Sequence, residues 1–178
     1  MTPPHDASDP VLDQLEALDI EHEVMACDPA LADTADFCAA YDIDPADSAN
    51  AILVAGKARE GEERPFALCL VLATHRLDVN GTVRRRLGSR KASFAGADET
   101  ATLTGMQIGG VTPFGLPDGC TVPIWIDADV MARNRVVVGG GSRDRKLLLP
   151  PVGLLALPGA EAVNYLARLV PPQPSPEV

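Results

Sequence analysis

Two glycine-rich stretches hold the residues best suited to binding a ligand through the backbone. The first runs Gly109-Gly110-Val111-Thr112-Pro113 and the second Gly139-Gly140-Gly141-Ser142. With so few side chains, backbone N–H and C=O groups can approach a bound molecule closely, and Pro113 and Pro117 restrict the shape of the first loop. The second is not a P-loop, because no Gly-Lys-Ser/Thr follows at the required spacing, and it lacks the G-x-G-x-x-G order of a dinucleotide site. Either loop alone also suits a tight turn between packed strands. Two of them, each beside a β-rich run, point to a site lined by backbone groups.

Charge adds a second feature. Residues 1–56 contain thirteen Asp and Glu and no Lys or Arg, so all fifteen basic residues fall in 57–178, against twelve acidic ones. The formal net charge of −10 therefore hides a slightly basic body. Its cations concentrate at Arg76, Arg84, Arg85, Arg86, Arg90 and Lys91, and again at Arg133, Arg135, Arg143, Arg145 and Lys146. Clustered cations suit a phosphate backbone, because neutralising phosphates releases condensed counterions. They also suit plain solvated faces. The acidic N-terminal third either repels and so orients a nucleic acid, or aids solubility.

Cys27, Cys38, Cys69 and Cys120 are scattered without a C-x-x-C pair, and His5, His22 and His75 do not cluster near them. Buried reduced thiols are expected, with no metal site and no cofactor. No apolar run approaches the roughly 18 to 20 residues of a membrane span, and "MTPPHDASDP" lacks the charge and apolar stretch of a secretory signal, so a cytoplasmic protein without membrane partners is expected.

The elements that must position the loops read as follows. Asp9 can cap and Pro10 open a helix carrying Val11, Leu12, Leu15 and Leu18. "IEHEVMA" alternates as a half-buried strand with Ile20, His22, Val24 and Ala26 on one side, which makes His22 a strand side chain. A helix from Thr34 to Tyr41 follows, then "NAILVAGK" and "PFALCLVLAT" as central strands joined by the polar loop "AREGEER". A helix is expected between Asp78 and Gly88, with Arg84, Arg85 and Arg86 spread over most of a turn. "KASFA", "TVPIWID", "RVVVGGG" and "KLLLP" read as strands, "ADETATL" as a short helix, and "GAEAVNYLARL" as the last helix. The class is α+β, a mixed sheet with helices around it. At 178 residues one domain is expected, spanning 10–170, between an N-terminal tail (1–9) and a disordered Pro-rich tail (171–178).

"LTGMQIGGVTPFGLPDGCTVPIWID" followed by "VVVGGG" resembles the YbaK and prolyl-tRNA synthetase-associated domain family of aminoacyl-tRNA editing domains. Its most specific element is the G-x-x-x-P loop, present as Gly109 to Pro113, and weaker likeness extends over nearly all of 10–170. The resemblance implies a curled, barrel-like mixed sheet flanked by helices, with a pocket for the 3′-terminal aminoacylated adenosine of a tRNA. It implies a trans-acting deacylase that hydrolyses the ester of a mischarged tRNA without metal or organic cofactor. Its partners would be aminoacyl-tRNA and an aminoacyl-tRNA synthetase.

One departure stands out against this family pattern. Active members carry a lysine in a K-T-L-like pattern on the strand after the second helix, and the matching position here is Asn50. Beyond the second glycine run, Lys146 stands where some members carry an acid. The pair suggests a cation moved across the pocket, with Asn50 and Lys146 as the catalytic candidates and the two glycine loops as the substrate-binding ones. Lys57, seven positions from Asn50, would face the opposite side of an uninterrupted strand. The alternative is a catalytically silent module of the same fold that binds a tRNA acceptor end or a small ligand, and a third is a use of the fold unrelated to tRNA.

Overall fold

A computed structural model describes residues 8–171. The expected terminal tails therefore lie largely outside the described residues.

The first helix, α1 (Pro10–Ala17), begins as its sequence dictates. Asp9 accepts hydrogen bonds from the Val11 and Leu12 amides at 3.1 and 3.2 Å, Pro10 opens the first turn, and Val11 and Leu15 are buried. After β1 (Glu23–Ala26) comes α2 (Thr34–Ala40), whose Phe37 and Cys38 face inward.

β2 (Ala49–Gly56) and β3 (Phe66–Leu72) then form the expected antiparallel hairpin, with Asn50 opposite Val71. The almost unbroken apolar run of β3 has a simple cause, since both its faces are covered. Leu68, Leu70 and Leu72 pack into the main core with Phe114, Ile126 and Leu147, while Ala67, Cys69 and Val71 pack into a second core with Trp125 and Leu166.

Around this hairpin the chain adds β4 (His75–Leu77), a π-helical turn (Val79–Val83) running into α3 (Arg84–Arg86), β5 (Ala92–Phe94) and α4 (Ala97–Thr104). Next come β6 (Ile124–Asp127), α5 (Ala128–Met131), β7 (Val136–Gly139), β8 (Arg145–Leu149), β9 (Ala160–Val163) and β10 (Ala167–Leu169). The largest sheet has the order β5-β2-β3-β6-β9, parallel at β3–β6 and β6–β9 and antiparallel elsewhere. A three-stranded antiparallel sheet, β1-β8-β7, touches it through one bridge, Ser48 to Val137. β4 and β10 make a third sheet of two strands.

The α+β class holds, with three corrections to the expected detail. No barrel closes among the described strands, because a single bridge is all that joins the three-stranded sheet to the five-stranded one. The expected last helix over "GAEAVNYLARL" is a strand, a turn and a strand. β9 pairs with β6, β10 pairs with β4, and Tyr165 in the turn has φ +59°, so tertiary pairing overrides the helix-forming alanines. In the first strand Met25 turns inward, as does Cys27 just beyond its end, with Val24 46% exposed, the reverse of the expected face. His22 precedes that strand, and its ring Nδ1–H donates to the Ile20 carbonyl at 2.8 Å.

Three of the four cysteines are buried and all are free, with Cys120 half-buried. Burial in apolar surroundings pushes the Cys69 thiol up to about 12, which keeps it protonated and inert.

Candidate functional site

Where α2, the first half of β2, the Gly109 loop, β7 and β8 converge, they enclose a cavity of about 320 Å³. Thr34, Phe37, Asn50, Gly109, Val111 and Lys146 are among its walls. It lies at the small end of the range for ligand pockets, so it suits one small group rather than a large molecule. Phe94 and Ile108 line it while remaining 59% and 55% exposed, which puts them at its rim.

Lys146 is the most unusual group here. The register of β8 sets it opposite Met25 on one side and Gly139 on the other, and it is only 7% exposed. A buried ammonium needs partners. Its Nζ donates to the carbonyls of Ala32 and Gly109, each at 2.7 Å, and sits 5.4 Å from the Phe37 ring centre. An ammonium has three donors, so one remains for the cavity. Burial foremost, with the Arg143 guanidinium adding to it, holds its pKa below the usual lysine range.

Asn50 projects from β2 into the same space. Its Oδ1 accepts the Thr34 hydroxyl, which leaves the amide N–H pair as the free face of the side chain. The cavity wall therefore offers two kinds of donor, an amide and an ammonium. Asp33, the one carboxylate lining it among the described residues, stands at the N-cap of α2. Instead of capping, it binds Arg143 at 3.1 Å.

The glycine loops contribute less to this surface than their composition suggested. Gly109, Val111 and Gly139 line the cavity, but Gly110, Thr112, Pro113, Gly140, Gly141 and Ser142 do not. Gly110 and Gly139 are required because the two loops pack on each other. A Cβ on Gly139 would fall onto the Val111 carbonyl oxygen, and one on Gly110 would lie 2.7 Å from the Ser142 carbonyl carbon. The Gly141 amide donates to the Gly110 carbonyl at 2.8 Å, which ties the loops together. Gly109, at φ +94°, lies under the Arg143 guanidinium, which bonds the Ile108 carbonyl at 2.8 Å. Thr112 is fully buried, its hydroxyl without a partner among the described residues, and Pro113 borders a separate pocket. Gly141 and Ser142 face an open groove beside Asp9 and Arg145. Lys57 is exposed beyond the end of β2, beside Lys91, away from the cavity.

Sequence reasoning missed the roles of Thr34, Phe37 and Arg143. Thr34 and Asn50 are sixteen positions apart and Arg143 and Asp33 a hundred and ten, so no local spacing signals either pair.

Among the described residues, one group of His and Asp side chains could surround a cation. Ligand atoms of His75, Asp127 and Asp129 lie within 4.8 Å of one another. Asp127 is already engaged, accepting from the Asp129 amide at 3.0 Å and from the Ala167 amide at 2.8 Å, while His75 Nε2 meets Asp129 at 2.8 Å. This cluster pins β10 and α5 to β6, outside the cavity.

The profile of the aminoacyl-tRNA editing domain matches residues 28–157, which include the cavity walls from Asp33 to Lys146. The chain belongs to the aminoacyl-tRNA editing domain family. Solved structures of the same fold agree with this editing domain. A crystal structure of a hypothetical protein superposes with a TM-score of 0.77 at 20% identity, over 90% of this chain and 100% of that one. Another, described as "a putative trans-editing enzyme for prolyl tRNA synthetase", gives 0.70 at 25% identity, over 86% and 92%. No helix among the described residues of this editing domain is long and apolar enough to cross a membrane.

Proposed function

We propose that the domain hydrolyses the ester joining a wrongly attached amino acid to the 3′-terminal ribose of a tRNA. The observation that carries this reading is the meeting of Asn50, Lys146 and the Gly109 loop on one small cavity. Ester hydrolysis needs a positioned carbonyl, a water, and donors aimed at the oxygen on which charge develops. The free amide N–H of Asn50 and the third N–H of Lys146 supply such donors within a largely buried wall. Water adds to the carbonyl carbon, the bond to the ribose oxygen breaks, and that oxygen leaves with a proton. The small volume restricts which amino acid enters. No organic cofactor or metal takes part in this scheme, and the partner is aminoacyl-tRNA at its 3′ acceptor end. An aminoacyl-tRNA synthetase is a second partner where editing follows charging.

One observation favours a second reading. Asn50 stands where the resemblance implies lysine, and two of the three Lys146 donors are spent on carbonyls, as a structural ammonium's would be. The alternative is a silent module that binds the acceptor end without turnover. Incubation with a panel of mischarged tRNAs separates the two. Release of one or a few amino acids above the spontaneous rate supports the hydrolase, and tight binding with no release supports the module.

A further inference from the structure

The two basic concentrations of the sequence fare differently in space. Arg133, Arg135, Arg143 and Arg145 each face an acid of the N-terminal third, namely Asp47 at 2.6 Å, Glu23 at 3.9 Å, Asp33 at 3.1 Å and Asp9 at 2.5 Å. The four arginines of that cluster are neutralised within the molecule, and its Lys146 is buried on two carbonyls. In the other, Arg86 pairs with Glu161 and lies over the Trp125 ring. Arg84, Arg85, Arg90 and Lys91, with Lys57 beside them, have no carboxylate within ion-pair distance among the described residues, including Glu60, Glu62 and Glu63 of the adjoining loop.

These free cations form one ridge. At Gly88, with φ +62°, the chain folds back so that the Gly88 and Ser89 amides bond the Arg85 and Arg84 carbonyls at 3.0 and 3.2 Å. The Lys57 amide bonds the Lys91 carbonyl at 3.0 Å, and the Ser89 hydroxyl reaches the Lys57 and Lys91 carbonyls at 3.2 and 2.8 Å. From Lys91 the strand β5 runs directly to Phe94 at the cavity rim, a distance of about 10 Å at the rise of an extended chain.

We propose that this ridge holds the phosphates of the RNA acceptor arm whose 3′ end enters the cavity, so that the RNA backbone follows β5 to Phe94. The assignment rests on the reading of the cavity as the site for a tRNA 3′ end. Arg84 bonds the Asn80 carbonyl and Arg85 the Thr82 hydroxyl, but guanidinium and ammonium groups at the surface with no internal carboxylate suit a chain of phosphates. Their order along the chain gives a direction, with cations first and then an exposed aromatic ring on which a base can stack.

The test is binding of a tRNA acceptor-arm minihelix as salt rises from about 50 to 200 mM, for the wild type, Arg85→Gln/Arg90→Gln and a control, Arg135→Gln/Arg168→Gln. The control removes the same charge from exposed positions near acids. Each phosphate contact contributes roughly 0.7 to 0.9 to the slope of log K against log salt. The ridge pair should therefore flatten that slope by about 1.4 to 1.8 and weaken binding by about tenfold or more at 100 mM, with the control changing neither. Equal losses in both pairs, an unchanged slope, or tighter binding to phosphatidylserine vesicles than to RNA would overturn the ridge. If the wild type binds the minihelix and the ridge pair binds as well, the ridge fails and the cavity reading stands. No binding by the wild type sinks both.

Discussion

Lys146 Nζ and the carbonyl oxygen of Gly109 lie 2.7 Å apart, so a β-strand and a glycine loop share one buried ammonium. This contact gives the loop its place on the cavity wall. It also means that the lysine has both a structural and a chemical role, which different substitutions separate.

Lys146→Met keeps an unbranched side chain one atom shorter but leaves the carbonyls of Ala32 and Gly109 without their donor. The expected cost is about 2 to 4 kcal/mol, read from urea denaturation, because buried acceptors lose charge-assisted bonds. A change below about 0.5 kcal/mol would mean that water or another group replaces the ammonium without loss.

The Thr34 hydroxyl fixes which face of the Asn50 amide looks into the cavity. Thr34→Val should reduce the deacylation rate constant kcat by about fivefold, since one oriented hydrogen bond is worth about 1 kcal/mol, and Thr34→Ser should retain it. A loss in Thr34→Ser with none in Thr34→Val would point to packing of the threonine methyl rather than to the hydroxyl.

Asp9 caps α1 and receives a bond from Arg145 at 2.9 Å, and that bond foremost holds its carboxyl below the usual value of 3.8. A lowered folded-state value makes the contribution complete above pH 3.8 and lost as pH falls through the lower folded value. Asp9→Ala should therefore cost about 1 to 2 kcal/mol at neutral pH, and the gap from wild type should narrow under acid. Thermal melts of both proteins across pH 2 to 7 measure it; a gap independent of pH would contradict the ionic assignment.

Gly139→Ala places a methyl against the Val111 carbonyl oxygen, a backbone atom that cannot swing aside. Destabilisation of about 1 to 3 kcal/mol is expected, as for overpacked cores. An unchanged denaturation midpoint would show that the two glycine loops separate easily.

Local patterns carried much of the fold. The cap at Asp9 and the apolar runs of β2 and β3 are written in adjacent residues, and those elements form where their spacing predicts. The last segment misled because Ala160 to Leu169 has helix-forming residues, and only pairing with β6 and β4 makes strands of it. The G-x-x-x-P loop marked the cavity's position, but not the reason for its glycines. Packing between loops thirty residues apart has no local signature. The same holds for the acidic N-terminal third, which serves as the partner of the second arginine cluster through the Asp9–Arg145 and Asp33–Arg143 bridges.

The proposed role of the Asn50 amide and the Lys146 ammonium is to act on an ester in this cavity. The measurement is single-turnover release of the amino acid from a mischarged tRNA by wild type and by Asn50→Ala, at saturating protein. Release by the wild type and a loss of about a hundredfold in the variant, the usual cost of one oxyanion donor, is the predicted result. Equal release by both proteins, or release by neither across every mischarged tRNA tried, would contradict it.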